Sequence, residues 1–340
     1  MTASRVTAGH LCNPANLWHA CTAVSTALVP LLLLLLTVFI WASNNVVSKV
    51  IMEEASPVLV ALVRFTLAGS LIYVPIFLRL HRGDQRFALG DWPRLFILGF
   101  GGVMGSLVLH LMGLITSPAT DAAVYSLTTP LFVLVLGRLV YGEHVSRQRA
   151  LGIAAAFGGA LVLVIGTAAG FGGGDLRGSL FLLASAVVWG VYTLLSKDLL
   201  VRRSPLLVLA TANLIASLSI WPVAGLMGVF GELPTVLDWS GRAWAVMVYL
   251  VLLMSVFSQW LYVRAIRDLH RSQVSAVLYT KPLFTAVMAA ATLGELPTPV
   301  TLLSGLLIVA GVWLVNRPTP RPRVVAPAAN RVSAGIATTS

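Results

Sequence analysis

The chain has 340 residues, 58% of them hydrophobic and only 10% charged, whereas soluble domains carry about a quarter charged residues. This balance excludes a soluble globular protein and makes the lipid bilayer the main environment. The net charge of +11 does not point to nucleic acid, because the basic residues are strung between apolar runs rather than gathered into one patch.

Residues 1–27 are polar and mixed and read as a cytoplasmic tail. It holds both cysteines, Cys12 and Cys21, each two positions after a histidine, His10 and His19. Four such ligands suit zinc, but loose tail residues explain them better, and no metal or cofactor is expected. On the inner side a disulfide is not expected either. The apolar run LVPLLLLLLTVFIW from Leu28 is too long for a signal peptide and lacks a small-residue cleavage site.

Ten spans are predicted, at 28–50, 57–78, 94–115, 118–141, 148–166, 178–199, 204–230, 243–264, 272–293 and 299–316. Each is near the ~20 residues that cross ~30 Å of hydrocarbon. They are expected to be α-helices, because lipid offers backbone groups no partners and the runs are about twice too long for barrel strands. The fold class is therefore all-α, integral to the membrane. Residues 317–340, rich in Pro, Arg and Ala, read as a second cytoplasmic tail.

Basic residues cluster in alternate connections. Arg79, Arg82, Arg86 and Arg94 lie around the second, Arg138, Arg147 and Arg149 around the fourth, Lys197, Arg202 and Arg203 around the sixth, and Arg264, Arg267 and Arg271 around the eighth. Arg5 and Arg317, Arg321, Arg323 and Arg331 join them from the tails, while the opposite side has Arg177, Arg242 and Lys49 at a span end. The positive-inside rule then puts both termini in the cytoplasm.

Two stretches of the chain are copies. LTTPLFVLVLGRLVYGE (Leu127 to Glu143) and YTKPLFTAVMAAATLGE (Tyr279 to Glu295) share Pro-Leu-Phe and the distance from Pro130 to Glu143 or Pro282 to Glu295. WASNNVVSK and WGVYTLLSK likewise place Trp41 before Lys49 and Trp189 before Lys197 at one spacing. Two five-span units result, 28–166 and 178–316. An odd number of spans turns the second unit upside down, the arrangement of carriers that alternate access about a central site.

The W-x-S-N-x-x-x-x-K start, RFTLA at Arg64, T-P-L-F followed by G-E, and the repeat of these features resemble the drug/metabolite transporter superfamily, specifically proteins with two EamA domains, over roughly residues 30–316. The resemblance implies ten helices as two inverted five-helix repeats, cytoplasmic termini, and efflux of amino acids or other small metabolites across a bacterial inner (plasma) membrane. Lys281 departs from the pattern, since the family often carries an acidic residue before the second-half proline. Substrate or coupling ion is expected to differ accordingly.

Candidate functional residues follow from depth. Pro282 cannot donate to the carbonyl of Leu278, nor Pro130 to that of Ser126, so each repeat is expected to kink or unwind there. The freed carbonyls either line a site or are satisfied by neighbouring helices. Lys281, about eleven residues from either end of its span, lies ~16 Å from each surface, beyond the reach of snorkelling. A cation there costs ~2.5 to 3.5 kcal/mol on insertion scales. It either binds an anionic group, exchanges its proton, or is buried structurally as an ion pair or neutral amine. Arg64 keeps its charge and needs carbonyls, a carboxylate or the substrate.

Asn44, Asn45, Tyr125, Thr128, Thr129 and Tyr279 offer hydrogen bonds near the same depth. His110 is a proton-coupling candidate or a packing residue. Trp41 and Trp189 read as cavity walls or interface anchors. Glu143 and Glu295 read as turn stabilisers or arginine partners more than as gates. Asp121 reads as a helix-start residue, and Gly101 and Gly105 as a close-packing pair.

No nucleotide-binding motif is present, so a secondary, gradient-driven transporter of a small-molecule substrate is expected, with protons as a candidate coupling ion. An enzyme is not expected, since the spans hold no HExxH, GxSxG or helically spaced carboxylate pair. A nucleotide-sugar or sugar-phosphate exchanger is the alternative, because Lys281 and Arg64 suit phosphate. A non-transporting receptor fits the duplication less well. Oligomeric state and substrate identity are not encoded in any of these signals.

Overall fold

The computed structural model describes residues 14–81, 87–142, 146–269 and 271–316. His10, Cys12, Glu143 and residues 317–340 lie outside the described residues, as do the side chains of His19, Cys21 and Lys197. The described residues form helices and short connections, with no strand among them.

In chain order the helices are α1 (Pro14–Ile51), α2 (Pro57–Leu80), α3 (Leu89–Leu114), α4 (Ala119–Ser126), α5 (Thr129–Tyr141), α6 (Arg147–Ala168), α7 (Leu176–Arg202), α8 (Pro205–Leu226), α9 (Gly241–Tyr262, continuing helically to Asp268), α10 (Arg271–Leu278), α11 (Lys281–Leu293) and α12 (Pro299–Asn316). Local chemistry sets several starts. Ser56, Ser146, Asp175 and Ser240 each accept a hydrogen bond from the third residue on, satisfying an amide that the helix leaves unpaired. Proline occupies the first turn of α2, α5, α8 and α11, where its missing N–H costs nothing.

Nine segments among the described residues are long and apolar enough to cross a membrane, with α4 and α5 together forming one of them. This makes the chain a multi-pass membrane protein. The predicted ninth span, 272–293, is divided instead. α11 alone has 13 residues, and α10, RSQVSAVL, is short and polar. The break at Tyr279 and Thr280 comes two residues ahead of Pro282, which interrupts the hydrogen-bond ladder.

The backbone repeats where the sequence does. Thr128 and Thr280 precede α5 and α11 with φ −77°, ψ −14° and φ −77°, ψ −10°. Their hydroxyls donate to the carbonyls of Tyr125 at 2.6 Å and Val277 at 2.7 Å. Gly142 and Gly294 end the same helices at φ 67°, a left-handed conformation that favours glycine. Within α3 and α9 the helix widens to π geometry, at Ile97–Gly105 and Leu250–Phe257.

α6 and α12 form a tight pair. A Cβ on Gly311 would stand 2.5 Å from the carbonyl oxygen of Gly152, and one on Gly152 would stand 2.6 Å from that of Gly311, so the two backbones touch. α3 packs on α7 and α8 through different glycines from those predicted. Around Gly101 a Cβ would meet nothing within 4 Å, and around Gly105 only its own helix's Phe100 carbonyl, at 3.3 Å. Close approach occurs instead at Gly99 against Ala212 and Gly102 against Tyr192. The reason is the π segment, whose i→i+5 bonding rotates the face that ordinary helical spacing projects.

α1 packs against α4, α9 and α11. It thus touches the break of the first repeat at α4 and the helix that follows the break of the second, α11.

Candidate functional site

Trp41, Asn44, Asn45 and Ser48 recur at helical spacing on α1 and share its inward face. Asn44 is 7% exposed and Asn45 1%. Their carboxamides organise two basic residues from neighbouring helices. Arg64 of α2, itself buried, donates from Nη1 to Asn44 Oδ1 at 3.2 Å. His110 of α3 donates from Nε2 to Asn45 Oδ1 at 3.0 Å, while Asn45 Nδ2 donates to the Ala119 carbonyl at 3.2 Å. One asparagine thus positions the histidine and the start of α4 together.

The third basic residue is Lys281, the first of α11. Its Nζ lies 3.4 Å from Ser126 Oγ, at the end of α4. Ser126 Oγ in turn donates to the Ala123 carbonyl at 2.7 Å. The break of one repeat is therefore tied to the break of the other through Lys281. His110 lies within electrostatic reach of both Lys281 and Arg64, so the three belong to one cluster. Among the described residues no carboxylate pairs with Arg64 or Lys281.

Trp41 completes one wall, donating Nε1–H to Ser258 Oγ at 3.0 Å and packing its ring 5.0 Å from that of Tyr262. Thr285 donates to the Ala42 carbonyl at 3.1 Å, fixing α11 on α1. Tyr73 donates to the Ser255 carbonyl at 2.8 Å inside the π segment of α9, where wider geometry loosens carbonyls from the ladder.

The remaining candidates fall elsewhere. Trp189 stacks on Tyr192 with ring centroids 4.7 Å apart and is 42% exposed. Tyr125 is wholly buried in the packing of α4. Thr129 and Pro130 open α5, as Lys281 and Pro282 open α11. The Tyr279 hydroxyl accepts from Asn316 Nδ2, at the last residue of α12, at 2.9 Å. That contact moves the α11 start away from equal depth. The 13 residues of α11 place Lys281 about 20 Å from that helix's far end, nearer the Asn316 side.

At the opposite end, Lys49 of α1 forms an ion pair with Glu295, which follows α11. The predicted arginine partner is a lysine. The other Glu295 oxygen accepts from the Ala119 amide at 2.8 Å, capping α4. Two residues on, Asp121 is 1% exposed and accepts from Thr301 Oγ1 of α12 at 2.6 Å. A pocket of about 340 Å³ lies here, lined by Lys49, Thr116, Ser117, Pro118 and Glu295 among others. In the connections, hydrogen bonds from the Ser240 side chain and backbone hold the Glu54 carboxyl below its ordinary range. The Gly178 amide and then the Thr116 hydroxyl do the same for Asp175.

Ser126, Ser258, Tyr262 and Tyr73 were not among the predicted site residues. Ser126 carried a signal, since it stands four residues before Pro130 and owns the carbonyl that the proline leaves free. Ser258 and Tyr262 come from the distant α9 and Tyr73 from α2, and none of the three carried one.

The arrangement gathers cations and neutral hydrogen-bond donors among buried and half-buried side chains, a composition suited to an anionic group. Groups of three or more metal-ligating side chains are absent among the described residues.

Comparison with known proteins places the chain in a family. The model of the EamA-like transporter family matches twice, at residues 28–165 and 176–317. An uncharacterized transporter of Archaeoglobus fulgidus is 30% identical over 286 residues, covering 84% of this chain and 96% of that one. A Streptantibioticus cattleyicolor protein named "Probable terminal-alkyne amino-acid exporter" is 31% identical over 295 residues, covering 84% and 93%. A solved crystal structure, 19% identical, superimposes with a TM-score of 0.54 over 84% of this chain and 95% of its own, a likeness of fold alone. With the family's pattern matched in both halves and over most of its length, this chain belongs to the EamA-like transporter family.

Proposed function

We propose that the chain is a gradient-driven exporter of a small metabolite carrying a carboxylate, of the amino-acid class. The observation that carries this reading is the cluster of Arg64, His110 and Lys281, with no carboxylate partner for Arg64 or Lys281 among the described residues. A cation at this depth is costly unless something balances it, and a substrate carboxylate supplies that balance. The starts of α5 and α11 strengthen the same preference, because the positive end of a helix dipole favours negative charge. The amino-acid class is favoured by the relative named an amino-acid exporter.

The reading includes ten membrane crossings, with the α10 and α11 pair completing the second repeat. The two repeats are inverted, both termini are cytoplasmic, and the protein resides in a bacterial inner membrane. Duplicated breaks before Pro130 and Pro282 and the family match in each half support the repeat. The charge bias of the connections supports the orientation. Transport without enzymatic chemistry fits this architecture.

A phosphorylated metabolite is the second reading, favoured by the buried Arg64 guanidinium, whose planar fork suits phosphate. Reconstituted full-length protein offered radiolabelled amino acids in one arm and sugar phosphates in the other separates the two. Uptake or counterflow of an amino acid, lost in Arg64→Ala, is the expected result. Counterflow of sugar phosphates alone would replace the amino-acid reading, and transport of neither panel would overturn both.

A further inference from the structure

Asp121 stands apart from the cationic cluster. It lies in the first turn of α4, is 1% exposed, and is engaged on one oxygen only. Oδ1 accepts from Thr301, while Oδ2 is buried without a hydrogen-bond partner among the described residues. A buried carboxylate oxygen is expensive to leave without a donor. Asp121 does lie in the first turn of α4, where the helix dipole favours it, but the Ala119 amide is held by Glu295 and Oδ2 keeps no donor among the described residues.

Its surroundings make the charge count uneven. Lys49 from α1 and Glu295 after α11 act on Asp121 electrostatically, and Tyr125 lies one turn further along its own helix. α12 contributes the neutral Thr301 hydroxyl. On α3 the nearest titratable group, His110, is engaged with Asn45, and at the start of α7 Asp175 is engaged with Gly178 and Thr116. One lysine therefore faces two carboxylates, a net single negative charge around a carboxylate buried near the end of the bundle. Adding one proton brings the group to neutrality.

We propose that Asp121 carries the coupling proton of this transporter, exchanging it with water by way of the adjoining pocket, whose lining includes Lys49, Pro118 and Glu295 and stops short of Asp121 itself. The proposal rests on the transport reading above. On loading, an O–H bond of hydronium breaks and one forms at Oδ2, leaving water and a neutral acid; on release, the Oδ2–H bond breaks and water takes the proton as hydronium. Since Glu295 holds both Lys49 and the Ala119 amide, the charge on Asp121 bears directly on the clasp joining α1, α4 and the end of α11. His110, the sequence-based candidate, is a poorer carrier. Its Nε2 proton is committed to Asn45, and a second proton would put a third positive charge beside Lys281 and Arg64.

The test uses the full chain in vesicles with trapped pyranine and a panel of radiolabelled amino acids. Three readouts are taken: counterflow without a gradient, accumulation driven by a pH gradient, and accumulation driven by a sodium gradient. For Asp121→Asn, counterflow is expected to remain measurable, while pH-driven accumulation and the pyranine signal fall to the level of protein-free vesicles. Asp121→Glu is expected to restore both, whereas His110→Gln, which lies in the binding cluster, is expected to lower counterflow and pH-driven accumulation together without separating them.

Undiminished pH-driven accumulation in Asp121→Asn would overturn the proposal. So would wild-type accumulation that follows sodium alone, or loss of coupling in His110→Gln only. Absence of wild-type counterflow for every tracer would instead overturn the transport reading. If Asp121→Asn aggregates on size-exclusion chromatography, Thr301→Ala replaces it. Loss of the donor to Oδ1 is expected to move the pH midpoint of accumulation, and an unmoved midpoint would count against Asp121.

Discussion

Replacing Lys281 with methionine separates a binding lysine from a structural one, because the two roles predict opposite signs for stability. The only hydrogen bond of Nζ among the described residues is the 3.4 Å contact to Ser126 Oγ, and Ser126 keeps its 2.7 Å bond to Ala123 when the lysine is gone. No buried group loses its sole partner. Against that weak contact stands the cost of a cation within a span, ~2.5 to 3.5 kcal/mol at the span's centre on insertion scales and less toward the Asn316 end where Lys281 lies. Lys281→Met is therefore expected to unfold at the same or a higher temperature than the parent protein, measured by fluorescence or size-exclusion thermostability in detergent.

Binding moves the other way. A charge-assisted hydrogen bond to a substrate carboxylate contributes about 1.5 to 3 kcal/mol, so its loss weakens affinity roughly 10- to 150-fold. Concentration-dependent counterflow in vesicles measures that change. A methionine variant that unfolds at lower temperature while transporting with unchanged concentration dependence would refute the reasoning and make the lysine structural.

Arg64→Lys keeps the charge but loses the planar fork and strands Asn44 Oδ1; transport is expected to weaken about 10- to 100-fold, more than a conservative charge exchange would give. Gly311→Ala drives a Cβ to 2.5 Å from the Gly152 carbonyl, and is expected to cost about 1 to 3 kcal/mol, whereas Gly101→Ala, with nothing within 4 Å, leaves thermostability unchanged. Equal effects of the two would dismiss the backbone contact between α6 and α12. Glu54, whose carboxyl is held below its ordinary range by Ser240, contributes stability above the unfolded carboxylate range that is lost as pH falls through its folded value. Glu54→Gln is expected to remove that acid-side slope of the unfolding temperature and leave the neutral-side plateau slightly lower; an identical slope in the variant would contradict it.

Membrane residence, most span positions, the duplication and the two interrupted helices were all legible in the sequence by itself, since each depends on neighbours along the chain. Apolar run length answers to bilayer thickness, proline removes a donor from a nearby carbonyl, and Gly142 and Gly294 end helices through their own left-handed backbone. The cationic residues were also visible, because a lysine or arginine within an apolar run is conspicuous wherever it packs.

Which of these residues meet was decided by the tertiary structure. Lys49 and Glu295 lie 246 positions apart, and Asp121 and Thr301 180 apart; nothing in their local sequence fixes either pairing. Trp41 and Trp189 occupy corresponding places in the repeats, yet one bonds Ser258 beside the cluster and the other stacks on Tyr192 outside it. Gly101 and Gly105 have the spacing of a packing motif, but π geometry turned Gly99 and Gly102 to the neighbouring helices instead. Periodicity describes one helix at a time, whereas a site is built from side chains that packing brings together from several.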